Sequence, residues 1–326
     1  MADSASLLRA ALQIAALAAL PTIDVNAQSF PVKPVRFVVP FATGGASDIV
    51  ARAVGIRLGE MWGQTVVIDN RAGGSGMIGT ELVARAAPDG YVLLVVEPTF
   101  AITPGLFTKV PFDVQKDFAP IVQFGQAPQV LVVHPSVPVK TVKELIALAK
   151  ARQGQLVFAS AGNGTSGHLA LEQFMILSGI NVVHVPYKGG GPALTELLGG
   201  QVQALFSIAL VAMPQVKAGR IRALGITSAK RSAMAPDLPT IAESGFGGFE
   251  CVGWFGWIAP ARVPPDIVAR LNREMVRILN LPEMHERLLG LGADPVANSP
   301  QAFAAFIRSE HDKWARVIKQ AGIRAE

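Results

Sequence analysis

The chain has 326 residues, half of them hydrophobic and only 16% charged, so most of it must fold, because disorder requires the opposite balance. Its 29 Lys and Arg exceed its 24 Asp and Glu by five, but the excess is scattered, and with two Tyr and four Trp there is neither the basic cluster nor the stacking surface of a nucleic-acid binder. The single cysteine, Cys251, excludes an internal disulfide and a cysteine-cluster metal site; inside the strand-like run Phe249–Trp254 it reads as a small buried hydrophobe.

The first 27 residues differ from the rest. Arg9 precedes an apolar run from Ala10 to Leu20, Pro21 breaks it, and Val25-Asn26-Ala27 offers the small residues of a cleavage site ahead of Gln28. This is the pattern of a secretory signal over 1–27. The run is too short for a bilayer span, which takes about 20 residues. The remainder is therefore expected to be exported and soluble.

From there a unit recurs: short apolar strand, Gly-rich turn, helix. Val35 to Pro40 is the first strand, Phe41 to Ser47 the turn, and Asp48 to Trp62 a helix with Ile49, Ala53, Ile56 and Met61 at helical spacing. Thr65–Asp69, the turn Asn70–Gly76 and a helix over 77–87 form the second unit, and Tyr91–Val96 is the third strand, ending at Glu97-Pro98. Residues 120–124 and 129–133 read as two strand pieces broken by Gly125 and Pro128. Thr141 with Glu144 three residues on is a capping box. Leu156–Ala159, the turn Ser160–Gly167 and a helix over 168–177 repeat the unit, as do Val182–Pro186, the turn Tyr187–Gly191 and a helix opening at Pro192. Strands follow at 204–208, 222–227 and 249–259, then helices at 265–279, 282–289 and 300–321.

Alternating strands and helices imply α/β architecture with mostly parallel sheets. The expected organisation is two α/β lobes, 28–124 plus 251–326 and 125–250, with crossings near 124–128 and 250–254. In such sheets ligands bind outside the carboxyl ends of the strands. Helix N-termini carry about half a positive charge and unpaired N–H groups, and Gly admits a ligand to the backbone. The Gly-rich junctions are therefore candidate anion cradles, or turns that merely pack helix on strand. Thr43-Gly44-Gly45-Ala46-Ser47-Asp48 and Gly162-Asn163-Gly164-Thr165-Ser166, rich in hydroxyls, are the stronger candidates. Asp48 is a candidate cap, water holder or ligand contact; Glu97 is a strand-edge residue or, if it lines the cleft, a selector of an amine or hydroxyl; Arg71 is a candidate partner for a second carboxylate. His168, in the first turn of its helix, is either a ligand contact or a local loop contact, whereas His184 reads as structural. Dinucleotide, P-loop and nucleophile-elbow motifs are absent, and the five His lack metal-ligand spacing, so no cofactor and no metal is expected.

The ordered set Pro40–Asp48, Asn70–Gly76, Pro88–Tyr91, Asp117–Ile121, Val185–Ala193 and Leu238–Gly245, with Trp254 and Ala259-Pro260, resembles the periplasmic substrate-binding proteins of tripartite tricarboxylate transporters (Bug-type receptors), over nearly all of the chain after the signal. That resemblance implies a type II-like, Venus-flytrap periplasmic-binding-protein fold without catalysis. It implies ligand contacts from Phe41, Thr43, Gly44, Gly45, Ser47 and Asp48 on one side and from Ser160, Asn163, Gly164, Thr165, Ser166 and His168 on the other. Glu97 and the Tyr187, Lys188 and Gly189 turn border the same cleft. It also implies a small organic carboxylate as ligand, membrane permease subunits as partners, a periplasmic location and a monomer. Glu97-Pro98-Thr99-Phe100 departs from the small or hydroxylic residues the family tends to carry there, which leaves di- and tricarboxylates, amino acids, hydroxy acids and aromatic acids all open. An exported α/β enzyme acting on a small anion and a receptor serving a membrane sensor are the alternatives.

Overall fold

The computed structural model describes residues 30–232, 235–291 and 293–321. The expected signal, 1–27, lies outside the described residues. From Lys33 on, the chain folds as one body. No helix among the described residues is long and apolar enough to cross a membrane.

The strands are β1 (Val35–Val39), β2 (Val66–Asn70), β3 (Val92–Val96), β4 (Phe118–Val133), β5 (Val157–Ser160), β6 (Val183–Pro186), β7 (Ala204–Ile208), β8 (Arg222–Ile226), β9 (Val252–Pro260) and β10 (Asp294–Pro295). The helices are α1 (Ala46–Trp62), α2 (Met77–Ala84), α3 (Pro98–Leu106), α4 (Val142–Ala151), α5 (Ser166–Ser178), α6 (Gly190–Leu198), α7 (Ala209–Lys217), α8 (Pro265–Leu279), α9 (Pro282–Leu291) and α10 (Pro300–Ala321). The sheet runs β2-β1-β3-β9-β4-β7-β5-β6, with β8 and β10 also on β4. Strands β2, β1 and β3 are mutually parallel, and so are β7, β5 and β6, whereas β9 and β4 run antiparallel to their neighbours. The two parallel sets are thus two α/β lobes joined through β4.

One expectation fails instructively. The pieces 120–124 and 129–133 are one continuous strand. Its pairing with β9 ends at Pro128↔Val252, and its pairing with β7 and β8 begins at Gln129 and Val130. Pro128 therefore sits at the changeover between ladders, where its missing N–H costs nothing. Gly125 falls at a register shift, and a Cβ there would stand 3.1 Å from the Asp294 carbonyl of β10.

Two helices escaped the sequence reading, α3 and α7. Most of α3 is buried, and so is Ala209–Met213 of α7, which follows β7 directly, so neither shows amphipathic spacing. Pro98 opens α3 at a position where proline is tolerated.

Each lobe has its own core. Val38, Leu94, Trp254, Ile258 and Phe303 belong to one; Leu131, Phe158, Phe174, Phe206 and Phe249 belong to the other. Ile102 and Leu106 of α3 meet Leu169 of α5 and Trp314 and Ile318 of α10 in a third cluster. Cys251 is buried, as its context implied; its thiol donates to the Ser166 carbonyl, and burial pushes its pKa up to about 12.

Candidate functional site

Strands β1, β3, β5, β6 and β7 each hand over to a helix at their carboxyl end, and the starts of α1, α3, α5, α6 and α7 meet at one cavity. Its wall includes Gly45, Ala46 and Ser47 of α1, Glu97 and Pro98 of α3, Thr165, Ser166 and Gly167 of α5, Gly190 of α6, and Ser207 and Ile208 ahead of α7. Phe41, Leu205, Phe206 and Phe255 complete an apolar surround. Each helix start presents unpaired N–H groups and the positive end of its dipole. Among the described residues no Lys or Arg lines the cavity, so its positive potential comes from backbone.

Glu97 is the ionisable residue of that wall. It is the N-cap of α3, and it accepts a 2.6 Å hydrogen bond from the Ser47 hydroxyl. Burial pushes its carboxyl up to about 7, against the opposing effect of the Ser47 bond. Opposite, Gln129 of β4 donates through Nε2 to the Ser166 hydroxyl at 2.9 Å, and its backbone is held by Thr227.

Asp48 does not reach the cavity. Its carboxylate accepts the Gly44 N–H at 3.0 Å and Arg52 Nε at 3.1 Å. Arg52 also donates to Asn70, and Asn70 donates to the Phe41 carbonyl. Burial acts to raise the Asp48 pKa, but Arg52, the Gly44 N–H and Asn70 together hold it below the ordinary value. Asp48 thus shapes the loop that precedes α1. Arg71 pairs with Asp69 at 2.9 Å, which Arg36 also engages, and is not in the cavity wall.

The turn before α5 is fixed by its own side chains. Thr165 accepts the His168 N–H as N-cap and donates to the Gly162 carbonyl at 2.7 Å. Ser160 accepts the Gly162 N–H at 3.1 Å and lies 2.7 Å from His184 Nε2. His168 Nδ1 accepts the Gly164 N–H at 3.1 Å, so the ring proton sits on Nε2, 3.4 Å from Glu172. The two imidazoles stack with centroids 4.4 Å apart. Burial first, then the charge His168 would carry, pushes His184 down to about 4. His184, read as structural, is part of this support.

Two contacts close the lobes around the cavity. Ala42 donates its N–H to the Lys188 carbonyl at 2.9 Å, and a Cβ on Gly191 would strike the Thr43 carbonyl. On the other flank Gly164, at φ +76°, packs so closely on α3 that a Cβ would come within 2.8 Å of Leu106.

Comparison with known proteins decides the family. The model of the tripartite tricarboxylate transporter family receptor, TctC, matches residues 50–323. The chain belongs to the TctC receptor family. Protein BugT of Bordetella pertussis is 36% identical over 302 residues, covering 92% of this chain and 93% of its own. Rpa4515 of R. palustris, solved with adipate, superposes with a TM-score of 0.88 at 37% identity, over 90% of this chain and 99% of that one. MatC (Rpa3494) from Rhodopseudomonas palustris, with bound malate, gives 0.84 at 33%, over 89% and 100%. The two-lobed α/β body is thus a TctC-type periplasmic-binding-protein fold.

Within this TctC receptor, the residues expected at the site take different places. Phe41, Gly45, Ser47, Glu97, Thr165 and Ser166 are brought together on the cavity wall. Gly44, Asp48, Ser160, Gly164 and His168 build the two loops from behind, and Lys188 and Gly189 lie on the closing contact. Thr43 and Lys188 are exposed, and Asn163 and Tyr187 are half-buried and outside the cavity wall. Gln129, Gly190, Leu205, Phe206, Ser207, Ile208 and Phe255 line the cavity without having been singled out. The signal that identifies most of them is positional: they end strands that a helix follows.

Proposed function

We propose that this receptor captures a small organic carboxylate in the cavity between its lobes. The observation that carries the reading is the convergence of five helix starts on one apolar-walled space without a basic side chain. Such a wall attracts an anion through backbone dipoles and accepts an unbranched or ring-shaped carbon skeleton against Phe41, Phe206 and Phe255. The bound adipate and malate of the relatives are small carboxylates, which supports the same class here.

We take residues 28–124 with 251–326 as one lobe and 125–250 as the other, hinged in β4 near Pro128 and at the entry to β9. The closed, loaded form is the one presented to membrane permease subunits of a tripartite tricarboxylate transporter, in the periplasm, after removal of a signal over 1–27. The protein acts as a carrier and leaves its ligand unchanged. The test is thermal unfolding of the protein, stripped of co-purified ligand, against aliphatic, hydroxy, amino and aromatic acids. An acid at 100 times its Kd adds about 2.7 kcal/mol of stability. A shift confined to one chemical class, with the acid recovered intact, is the expected result; no shift with any class refutes the reading.

A further inference from the structure

Glu97 poses a problem for an anion site. Its side chain lies in the wall of the cavity, where Ser47 occupies one carboxyl oxygen, Oε2, at 2.6 Å. Among the described residues no group hydrogen-bonds the other oxygen, Oε1. Glu97 also borders a smaller cavity behind, lined by Ser75, Met77, Thr80 and Thr103. Among the described residues no other residue lining either cavity carries a charge.

The other ionisable groups on the surrounding elements lie outside the cavity wall among the described residues: Lys188, in the turn ahead of α6, is exposed, and His311 of α10 sits 3.1 Å from the Ala101 carbonyl of α3. On α1, Asp48 and Arg52 hold each other. On β2, Asp69 takes Arg36 and Arg71. On α5, His168 faces Glu172 and the Gly164 N–H, and on β6 His184 faces Ser160. Tyr187, ahead of α6, feels the charge of Glu196. Strands β3, β4, β7 and β9 and helix α3 contain no Asp, Glu, Lys, Arg or His. A ligand carboxylate would therefore enter beside a carboxylate, with no cationic side chain among the described residues of the cavity wall to separate the two.

We infer that a carboxylate ligand binds here together with one proton: Glu97 takes it from solvent, and the resulting acid donates its O–H from Oε1 to a ligand oxygen. This rests on the carboxylate reading of the cavity. Like charges sharing a water-poor site titrate as a pair, one of them keeping a proton well above its ordinary range. The helix starts then hold the remaining negative charge. Burial has already brought the free Glu97 carboxyl to about 7, so proton uptake is cheap near neutrality and increasingly unfavourable above it.

The test is isothermal titration calorimetry of stripped protein, repeated in buffers of different ionisation enthalpy between pH 6 and pH 9. The titrant is the most stabilising acid from acetate, malate, adipate and benzoate, all fully ionised above about pH 6.5. The expected result is close to one proton taken up per acid at pH 8 and an affinity falling about tenfold per pH unit above 7. Glu97→Gln, whose amide is a permanent donor in the same place, should bind with little pH dependence and at pH 8 at least as tightly as wild type. Equal affinity from pH 7 to pH 9 without proton uptake in the wild-type protein would overturn the inference and leave the carboxylate reading standing. So would tight binding only of aspartate or another amino acid without proton uptake, since an ionised Glu97 would then face its ammonium. Failure of every acid at pH 6, where Glu97 is protonated, would remove the carboxylate reading and this inference with it.

Discussion

At the scale of single residues, the site is governed by which polar groups face the cavity and which face the backbone behind it. Glu97 and Asp48 are both carboxylates near a helix start, yet burial drives the first up to about 7 while Arg52, the Gly44 N–H and Asn70 hold the second down despite burial. The signs have opposite consequences. Folding favours neutral Glu97, whose ordinary value is about 4.3, so its contribution is complete below that pH and is lost as pH rises through 7. The melting temperature of Glu97→Gln relative to wild type should therefore climb between about pH 4.5 and pH 7.5 and then level; parallel curves would show that Glu97 is as well solvated folded as unfolded. The sequence pointed to Ser47 through its hydroxyl-rich Gly turn and to Glu97 through its place at the end of β3. It could not show that Asp48 turns away, since that depends on Arg52 and Asn70, the latter brought close by β1–β2 pairing.

At the scale of elements, the Gly-rich turns do two jobs that composition alone does not separate. The turn before α5 is a built cradle. Thr165→Val would remove both the cap to the His168 N–H and the bond to the Gly162 carbonyl, at a cost of about 1 kcal/mol. Thermal unfolding should show a loss of about two degrees, with weaker carboxylate binding measured on the same sample; unchanged binding would mean that the loop does not touch the ligand. The turn before α6 closes the lobes. A Cβ on Gly45 meets Gly190 and Ala42 only at 3.6 and 3.7 Å, whereas one on Gly191 collides with the Thr43 carbonyl. Gly191→Ala should leave the unliganded melting temperature within a degree or two of wild type and weaken binding at least tenfold, because it obstructs closure alone. A large loss of stability without ligand would contradict that assignment. The capping box at Thr141 and Glu144 was legible because it is local, and the bond from the Glu144 N–H to Thr141 is present at 3.1 Å. Helices α3 and α7 were not, because burial of most of α3 and of Ala209–Met213 in α7 erases the periodicity that marks a helix. With them went Ser207 and Ile208, whose place on the cavity wall follows from the start of α7.

At the scale of the whole molecule, the α/β class and the family resemblance were legible from the alternation of elements and the ordered motifs. The continuity of β4 was not, because Gly125 and Pro128 are breakers in isolation and become tolerable only where one ladder gives way to the next. That changeover supports a hinge there: bending β4 at Pro128 disturbs few ladder bonds while moving each lobe on its own core. The closed arrangement, with Ala42 bonded to Lys188 and Gly164 set on α3, places five helix starts around one volume. On the proposed reading this volume holds a carboxylate through backbone N–H groups and the Glu97 carboxyl, without a basic side chain in the wall among the described residues. A crystal structure of the protein with its most stabilising acid tests it most directly. Carboxylate oxygens are expected within hydrogen-bond distance of backbone N–H groups at the starts of α1 and α5, with Glu97 beside them and no Lys or Arg in contact. An acid held by a basic side chain, or seated outside this cavity, would contradict it.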